Sequence, residues 1–163
     1  MDYRKDTKRG RYIVENTHKY IGTKHPVFKS TWEQRLFYMF DHNPYVKKWG
    51  YECQPLPYYN PVYKKQTIYY PDLFVHIVDQ DGNHKNFLIE VKPFKFTHAP
   101  ELPKLKTYKA LDRYKKAQAA YLINVSKWQA AEVWCAKHKV IWMIVTENTC
   151  SKFLASSGGS KWN

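Results

Sequence analysis

The sequence has few cysteines and no long apolar run. Cys53, Cys135 and Cys150 are far apart, and no Cys-x-x-Cys pair occurs. This pattern indicates neither a zinc site nor a disulfide framework and is typical of reduced, cytoplasmic thiols. The apolar run at 140–145 is far shorter than the ~20 residues of a membrane span. We therefore expect no membrane partner, and the polar segment 1–6 does not resemble a signal peptide.

Acidic residues are also scarce. The chain has 14 Asp and Glu against 27 Lys and Arg, which gives a net charge of +13. This surplus favours a polyanionic partner, most commonly nucleic acid, although a basic structural protein or a solvated basic surface would show the same charge. Aromatic residues make up 17% of the chain. Such side chains can stack on unpaired bases, but most are expected to be buried or to line the surface.

The order of the predicted elements indicates an α/β domain with a mixed central sheet flanked by helices. Ser30 and Glu33 form a capping box that begins a helix over 31–41. A second such pattern, Ser126 with Gln129, predicts that two helices, 106–121 and 126–138, follow the strands. Strands are predicted near 46–55, 64–70, 72–78, 86–92 and 140–145. We expect the domain to span 30–150, with a basic N-terminal arm over 1–29 and a flexible tail over 151–163.

The two predicted strands at 72–78 and 86–92 form a hairpin that brings two carboxylates together. The midpoint of Asp72 and Glu90 falls at Asp81, beside Gly82, which is a strong turn signal. Directly opposed Cβ atoms lie about 5 Å apart. Because residues two apart on a strand share a face, Lys92 points the same way as Glu90.

Two carboxylates at this distance repel each other unless a cation lies between them. Oxygen ligands with open water positions suit Mg²⁺, with Mn²⁺ as the alternative. Lys92 would hold the attacking water and balance the charge that develops on a phosphoryl group. The competing interpretation is a cross-strand salt bridge between Lys92 and the two acids. Glu52 follows an early strand and approaches the same region, but nothing local decides its role.

Pro71-Asp72 followed by Glu90-x-Lys92 resembles the motif of the PD-(D/E)xK nuclease superfamily, and it falls on the predicted hairpin. The resemblance implies a restriction-endonuclease-like core and metal-dependent hydrolysis of DNA by Asp72, Glu90 and Lys92. In many members an acidic residue on the first core helix joins the metal site. Glu33 has the matching position, so the implied ligands are Glu33, Asp72 and Glu90. Glu33 is equally explained as a helix cap.

A closer resemblance is to the head-completion nucleases of T-even-type tailed phages. It is carried by Ser30-x-Trp32-Glu33, Asn43-Pro44-x-Val46-x-x-Trp49-Gly50, Tyr70-Pro71-Asp72-Leu73, Leu88-Ile89-Glu90-Val91-Lys92-Pro93, Lys127-Trp128-Gln129-Ala130-Ala131 and Val145-Thr146-Glu147. TnsA-type transposon endonucleases share several of these patterns.

The phage resemblance implies a Mg²⁺-dependent endonuclease that trims DNA ends before tail attachment. It would act in the host cytoplasm during assembly, or in the virion, with portal or other head-completion proteins as partners. The alternatives are cleavage at transposon ends and a non-catalytic, DNA-binding structural protein.

Basic residues follow the motif and are predicted to contact DNA. Three of them are spaced four and three apart and therefore share one face of the predicted helix. The competing explanation is an ordinary solvated helix face. The predicted DNA-binding residues are Lys95, Lys104, Lys106, Lys109, Arg113 and Lys116.

Overall fold

The computed structural model describes residues 9–105 and 107–150. Its strands and helices, in chain order, are β1 (Gly10–Arg11), β2 (Val27–Phe28), α1 (Thr31–His42), β3 (Val46–Tyr51), β4 (Leu56–Asn60), β5 (Lys65–Tyr69), β6 (Leu73–Val78), β7 (His84–Val91), α2 (Tyr108–His138) and β8 (Ile141–Val145). Short 3-10 turns occupy Thr17–Lys19 and Phe94–Phe96.

A four-stranded sheet in the order β3-β6-β7-β8 forms the centre of the molecule. The first three strands are antiparallel neighbours, whereas β8 runs parallel to β7. This arrangement confirms the predicted α/β class with a mixed sheet. No helix within the described residues combines the length and the apolar character that crossing a bilayer requires.

The two helices cover opposite faces of the sheet. Trp32, Leu36, Phe37 and Phe40 of α1 pack with alternate residues of β6 and β7 in one core cluster. The residues between them face α2, and the fully buried Leu88 packs there with Ala131 and Cys135. Strand alternation thus assigns Leu88 and Glu90 to the α2 face, and Ile89 and Val91 to the α1 face.

The segment before α1 packs against the domain. Strands β1 and β2 pair with each other, and Tyr12 and Phe28 are buried in the α1 core. The fully buried Asp41 accepts hydrogen bonds from the Tyr12 hydroxyl at 3.0 Å and from the Glu15 and Asn16 amides at 2.8 and 3.1 Å. Residues of the predicted arm thus pack on the domain and supply the donors that a buried carboxylate needs. Residues 1–8 and the predicted tail lie outside the described residues.

Helix α2 is a single helix of 31 residues, so the prediction of two helices was wrong. Thr107 caps its N-terminus by accepting a hydrogen bond from the Ala110 amide at 3.3 Å. Ser126 lies in its interior, and neither glycine nor proline interrupts the sequence between Tyr108 and His138. Because the helix continues through Ser126, the amides that follow this residue are already hydrogen-bonded and need no cap.

Strands β4 and β5 form a separate hairpin; the sequence predicted a strand near 64–70, which matches β5, but none over 56–60. They pair from Leu56 with Tyr69 to Asn60 with Lys65. Leu56, Tyr58 and Tyr69 are buried against α2, whereas Tyr59 and Ile68 are exposed on the outer face. The hairpin therefore extends the structure beyond the main sheet and leads directly into β6.

Candidate active site

The β6–β7 register confirms the predicted geometry of the hairpin. Leu73 pairs with Ile89, and the same register continued by one residue sets Asp72 opposite Glu90. The turn between the strands contains Gly82, whose φ of 80° is the left-handed conformation that glycine adopts readily. On its other side, β7 pairs with β8, where Glu90 lies opposite Ile144. Strand β7 is thus held on both edges.

Both carboxylates have defined hydrogen-bond donors. Asp72 Oδ2 accepts a hydrogen bond from the Val91 amide at 2.8 Å. Glu90 is 6% exposed, and its Oε2 accepts a hydrogen bond from the Tyr69 hydroxyl at 2.6 Å. Lys92 Nζ lies 3.5 Å from Glu90 Oε1. The predicted trio is therefore brought together, with Glu90 between a phenol and an ammonium group.

Burial and neighbouring negative charge disfavour the ionised form of two carboxyl groups in the site. Burial, and secondly the charge of Glu90, raise the pKa of Asp72 well above its usual value. The hydrogen bond from Val91 acts in the opposite direction. Burial also raises the pKa of Glu33, with a smaller contribution from Glu90. A cation bound between these groups would favour their ionised forms.

Glu33 shows the predicted cap and also reaches the site. Its amide donates to Ser30 Oγ at 3.2 Å, and its carboxylate accepts a hydrogen bond from the Lys29 amide. It lines the same cavity as Asp72 and Glu90. Cap and site residue are therefore compatible roles for this side chain.

The carboxylates line a cavity of about 520 Å³ between the end of the main sheet, α1, α2 and the β4–β5 hairpin. Glu52 also lines it, which answers the question its sequence position left open, and pairs with Lys24 at 3.3 Å and Lys29 at 4.0 Å. A second cavity, of about 650 Å³, lies along the outer side of α1 and has no acidic residue in its lining. Only the first of these two cavities offers the oxygen donors of a divalent-metal site.

The carboxylate oxygens of Glu33, Asp72 and Glu90 are the kind of ligand that a hard divalent cation prefers. The raised pKa values of Glu33 and Asp72 fit such a site, because a bound cation favours the ionised carboxylates. Among residues 9–105 and 107–150, no three His, Cys, Asp or Glu side chains stand in a ready-made metal-binding cluster. The assignment of Glu33, Asp72 and Glu90 as ligands therefore stays a prediction.

Two side chains that sequence reasoning missed complete the site. Tyr69, from β5, donates to Glu90 across 21 positions of sequence. Lys127, from α2, lies with its Nζ 5.3 Å from the Tyr69 ring centroid and 5.8 Å from that of Tyr58. Burial lowers the pKa of Lys127, while the charges of Glu90 and Asp72 oppose that shift. The sequence offered one signal for Lys127, because the stretch that begins there is among those that carry the family resemblance.

None of the predicted DNA-binding residues that the structure describes lines the cavity. Lys95 follows β7 in the 3-10 turn, and its Nζ is 4.5 Å from the Phe96 ring centroid. Lys109, Arg113 and Lys116 are exposed along the first half of α2, and Lys116 pairs with Asp112 at 2.8 Å. Lys104 is exposed in the preceding loop, and Lys106 lies outside the described residues.

Comparisons with known proteins identify the family of the chain. Residues 43–147 match the family described as TnsA-like endonuclease N terminal, and this range contains Asp72, Glu90 and Lys92. The chain is also 31% identical, over 140 residues, to the head completion nuclease of Enterobacteria phage T4. That alignment covers 85% of this chain and 91% of the phage protein. No solved structure matches the chain.

Proposed function

Because this chain belongs to the TnsA-like endonuclease N-terminal family, we propose that it is a metal-dependent endonuclease that hydrolyses phosphodiester bonds in DNA. The observation that carries the proposal is that Asp72, Glu90 and Lys92, at one end of the β6–β7 hairpin, line the same cavity. A mere surface salt bridge would be solvated, whereas Glu90 is 6% exposed and the pKa of Asp72 is raised.

Each residue of the site has a proposed role. Asp72 and Glu90 would hold Mg²⁺, or Mn²⁺ in its place, with Glu33 as a further ligand. When bound, such an ion supplies Lewis acidity toward a phosphoryl oxygen and lowers the pKa of a coordinated water. Lys92, next to Glu90, orients the attacking water and stabilises negative charge that develops on the phosphoryl group.

Lys127 provides a second positive charge on the α2 side of the cavity. It lies over two tyrosine rings, and it lines the cavity together with Glu90 and Lys92. An ammonium group that is partly desolvated interacts more strongly with a phosphate than one in bulk water. We assign it to binding the phosphate that is cleaved.

Basic residues outside the cavity lining would hold the DNA backbone. Such contacts fix the register of a nucleic acid without reading its sequence. The net charge of +13 supports a polyanionic substrate. The proposed contacts are Lys95, Lys104, Lys106, Lys109, Arg113 and Lys116.

The biological setting follows from the phage relative. We propose that the chain trims DNA ends during phage head completion, before tail attachment, in the infected cell. Portal or other head-completion proteins would be its partners. The TnsA-like match favours a second candidate, cleavage at transposon ends. A structural DNA-binding role without catalysis is the third, and intact Asp72, Glu90 and Lys92 argue against it.

The test is cleavage of linear, circular and branched DNA in Mg²⁺ by the parent and by Asp72→Asn, Glu90→Gln and Lys92→Met. We expect each variant to lose roughly a hundredfold or more of the rate. Asp81→Asn is the matched control, since it removes an acid from the exposed turn at the far end of the same hairpin. Undiminished cleavage by all three site variants would refute the proposal, as would unchanged cleavage in chelator.

A further inference from the structure

The mouth of the carboxylate cavity is lined by two exposed aromatic rings. Tyr70 is 43% exposed and Phe96 is 45% exposed, and both line the cavity. They come from different places, since Tyr70 follows β5 whereas Phe96 ends the 3-10 turn after β7. Ile68, 51% exposed on the hairpin, continues the apolar surface outward from Tyr70. We call Tyr70 and Phe96 the aromatic rim.

The exposure of the rim is built into the strands that lead to it. Tyr69 is 5% exposed and turns inward to Glu90, so its neighbour Tyr70 is directed outward. On the other side, Phe94 is 46% exposed in the same turn as Phe96. Exposed rings that cluster at the mouth of a cavity are typical of a binding surface.

Each ring of the rim is next to a cation. Lys24 Nζ lies 4.9 Å from the Tyr70 ring centroid, and Lys95 Nζ lies 4.5 Å from that of Phe96. Lys24 is also held by Glu52 at 3.3 Å, which places its ammonium group at the cavity edge. The rim therefore combines flat apolar faces with positive charge, the chemistry that single-stranded nucleic acids require.

We propose that the aromatic rim stacks on unpaired bases next to the scissile phosphate, while Lys24 and Lys95 contact the neighbouring phosphates. The substrate class is then DNA with a single-stranded segment at the point of cleavage. In an uninterrupted duplex the faces of the bases are covered by their neighbours, so a side chain can stack only on a base that has left the helix. This inference rests on the proposed nuclease function and specifies its substrate.

The experiment measures binding separately from cleavage. Chelator is present throughout, and the probes are a single-stranded oligonucleotide and its duplex, each with one 2-aminopurine, whose fluorescence falls when it stacks. The variants are Tyr70→Leu and Phe96→Leu, which keep apolar bulk and remove the ring. We expect each to weaken single-strand binding roughly tenfold and to restore 2-aminopurine fluorescence. Duplex affinity is expected to change less than twofold.

Tyr38→Leu is the matched control, because Tyr38 is 57% exposed and stacks on His42 outside this cavity. Equal losses for both probes, or no loss for either variant, would overturn the inference. In a separate assay with Mg²⁺, cleavage of an uninterrupted duplex as fast as of single-stranded DNA would also overturn it, while leaving the nuclease function intact. Conversely, strand-selective binding without cleavage in any divalent metal would refute the nuclease function alone.

Discussion

The Tyr69 hydroxyl donates a 2.6 Å hydrogen bond to Glu90 Oε2, while the other oxygen of Glu90 faces Lys92 Nζ at 3.5 Å. One oxygen of this carboxylate is therefore oriented by a residue of β5, and the other by the residue that follows β7. The Tyr69 ring in turn lies beneath Lys127. This phenol therefore links the positions of Glu90 and Lys127.

Tyr69→Phe removes the hydroxyl and keeps the ring. A hydrogen bond to a charged group contributes about 1.5–3 kcal/mol. About half of this free energy, acting in the transition state, corresponds to a roughly tenfold fall in kcat with little change in KM. Steady-state cleavage rates give the measurement. Tyr58→Phe is the control, because its hydroxyl contacts Asn60 rather than Glu90, and a comparable loss there would contradict a specific role for Tyr69.

Lys127→Met removes the positive charge on the α2 side and keeps much of the side-chain length. We expect cleavage to slow by roughly tenfold to a hundredfold, because a partly desolvated cation near the phosphate is lost. Lys127→Arg is expected to retain most of the rate. Lys137→Met, an exposed change near the end of the same helix, serves as the control. Full activity of Lys127→Met would exclude a role for this ammonium group in binding the cleaved phosphate.

The raised pKa of Asp72 makes stability depend on pH. The folded protein favours the neutral carboxyl of Asp72. The contribution of this group to the free energy of unfolding is therefore fully present below its unfolded pKa, near 3.9. It is lost as pH rises through the raised pKa of the folded state. In chelator, Tm of the parent should therefore fall relative to Asp72→Asn as pH increases. Mg²⁺ should then raise Tm of the parent more than that of the variant. Parallel Tm profiles would contradict this assignment.

Glu33→Gln separates the cap from the metal ligand. The amide keeps an oxygen that can accept the hydrogen bond from the Lys29 amide but lacks the negative charge. We expect helix stability to change by less than about 1 kcal/mol and Mn²⁺ affinity, measured by calorimetry, to fall several-fold. An unchanged affinity would restrict Glu33 to capping.

The exposed face of α2 is tested by its salt dependence. Replacing Lys109, Arg113 and Lys116 together by Gln should reduce the slope of log affinity against log salt by about two to three for duplex DNA. A control with the same charge change is Lys47→Gln, Lys64→Gln and Lys137→Gln, at exposed lysines elsewhere. Equal slopes for the two triple variants would contradict a DNA contact at this face of α2 and would identify it as an ordinary solvated surface.

The centre of the site was predictable because its geometry is local. The turn at Gly82 and the strand alternation suffice to set Asp72 opposite Glu90, since a hairpin register depends on the turn and the two strands beside it. The same locality accounts for the cap at Ser30.

Tyr69 and Lys127 were not predictable in this way. Their approach to Glu90 depends on how the β4–β5 hairpin and α2 pack on the sheet, which no short spacing encodes. The two-helix prediction failed for a related reason. Ser126 with Gln129 has the form of a cap, but buried Trp128, Ala131 and Cys135 continue the packing of a single helix. Tertiary burial outweighs so weak a local preference.

The Val91 amide, which donates to Asp72 Oδ2 at 2.8 Å, links the backbone of the central strand to the charge of the site. An amide proton that is hydrogen-bonded to an ionised carboxylate is more strongly deshielded than one bonded to a neutral acid. Its nitrogen–proton resonance therefore reports directly on the charge of Asp72. The fold thus contains its own spectroscopic probe, which requires no label beyond isotopes and no catalytic turnover.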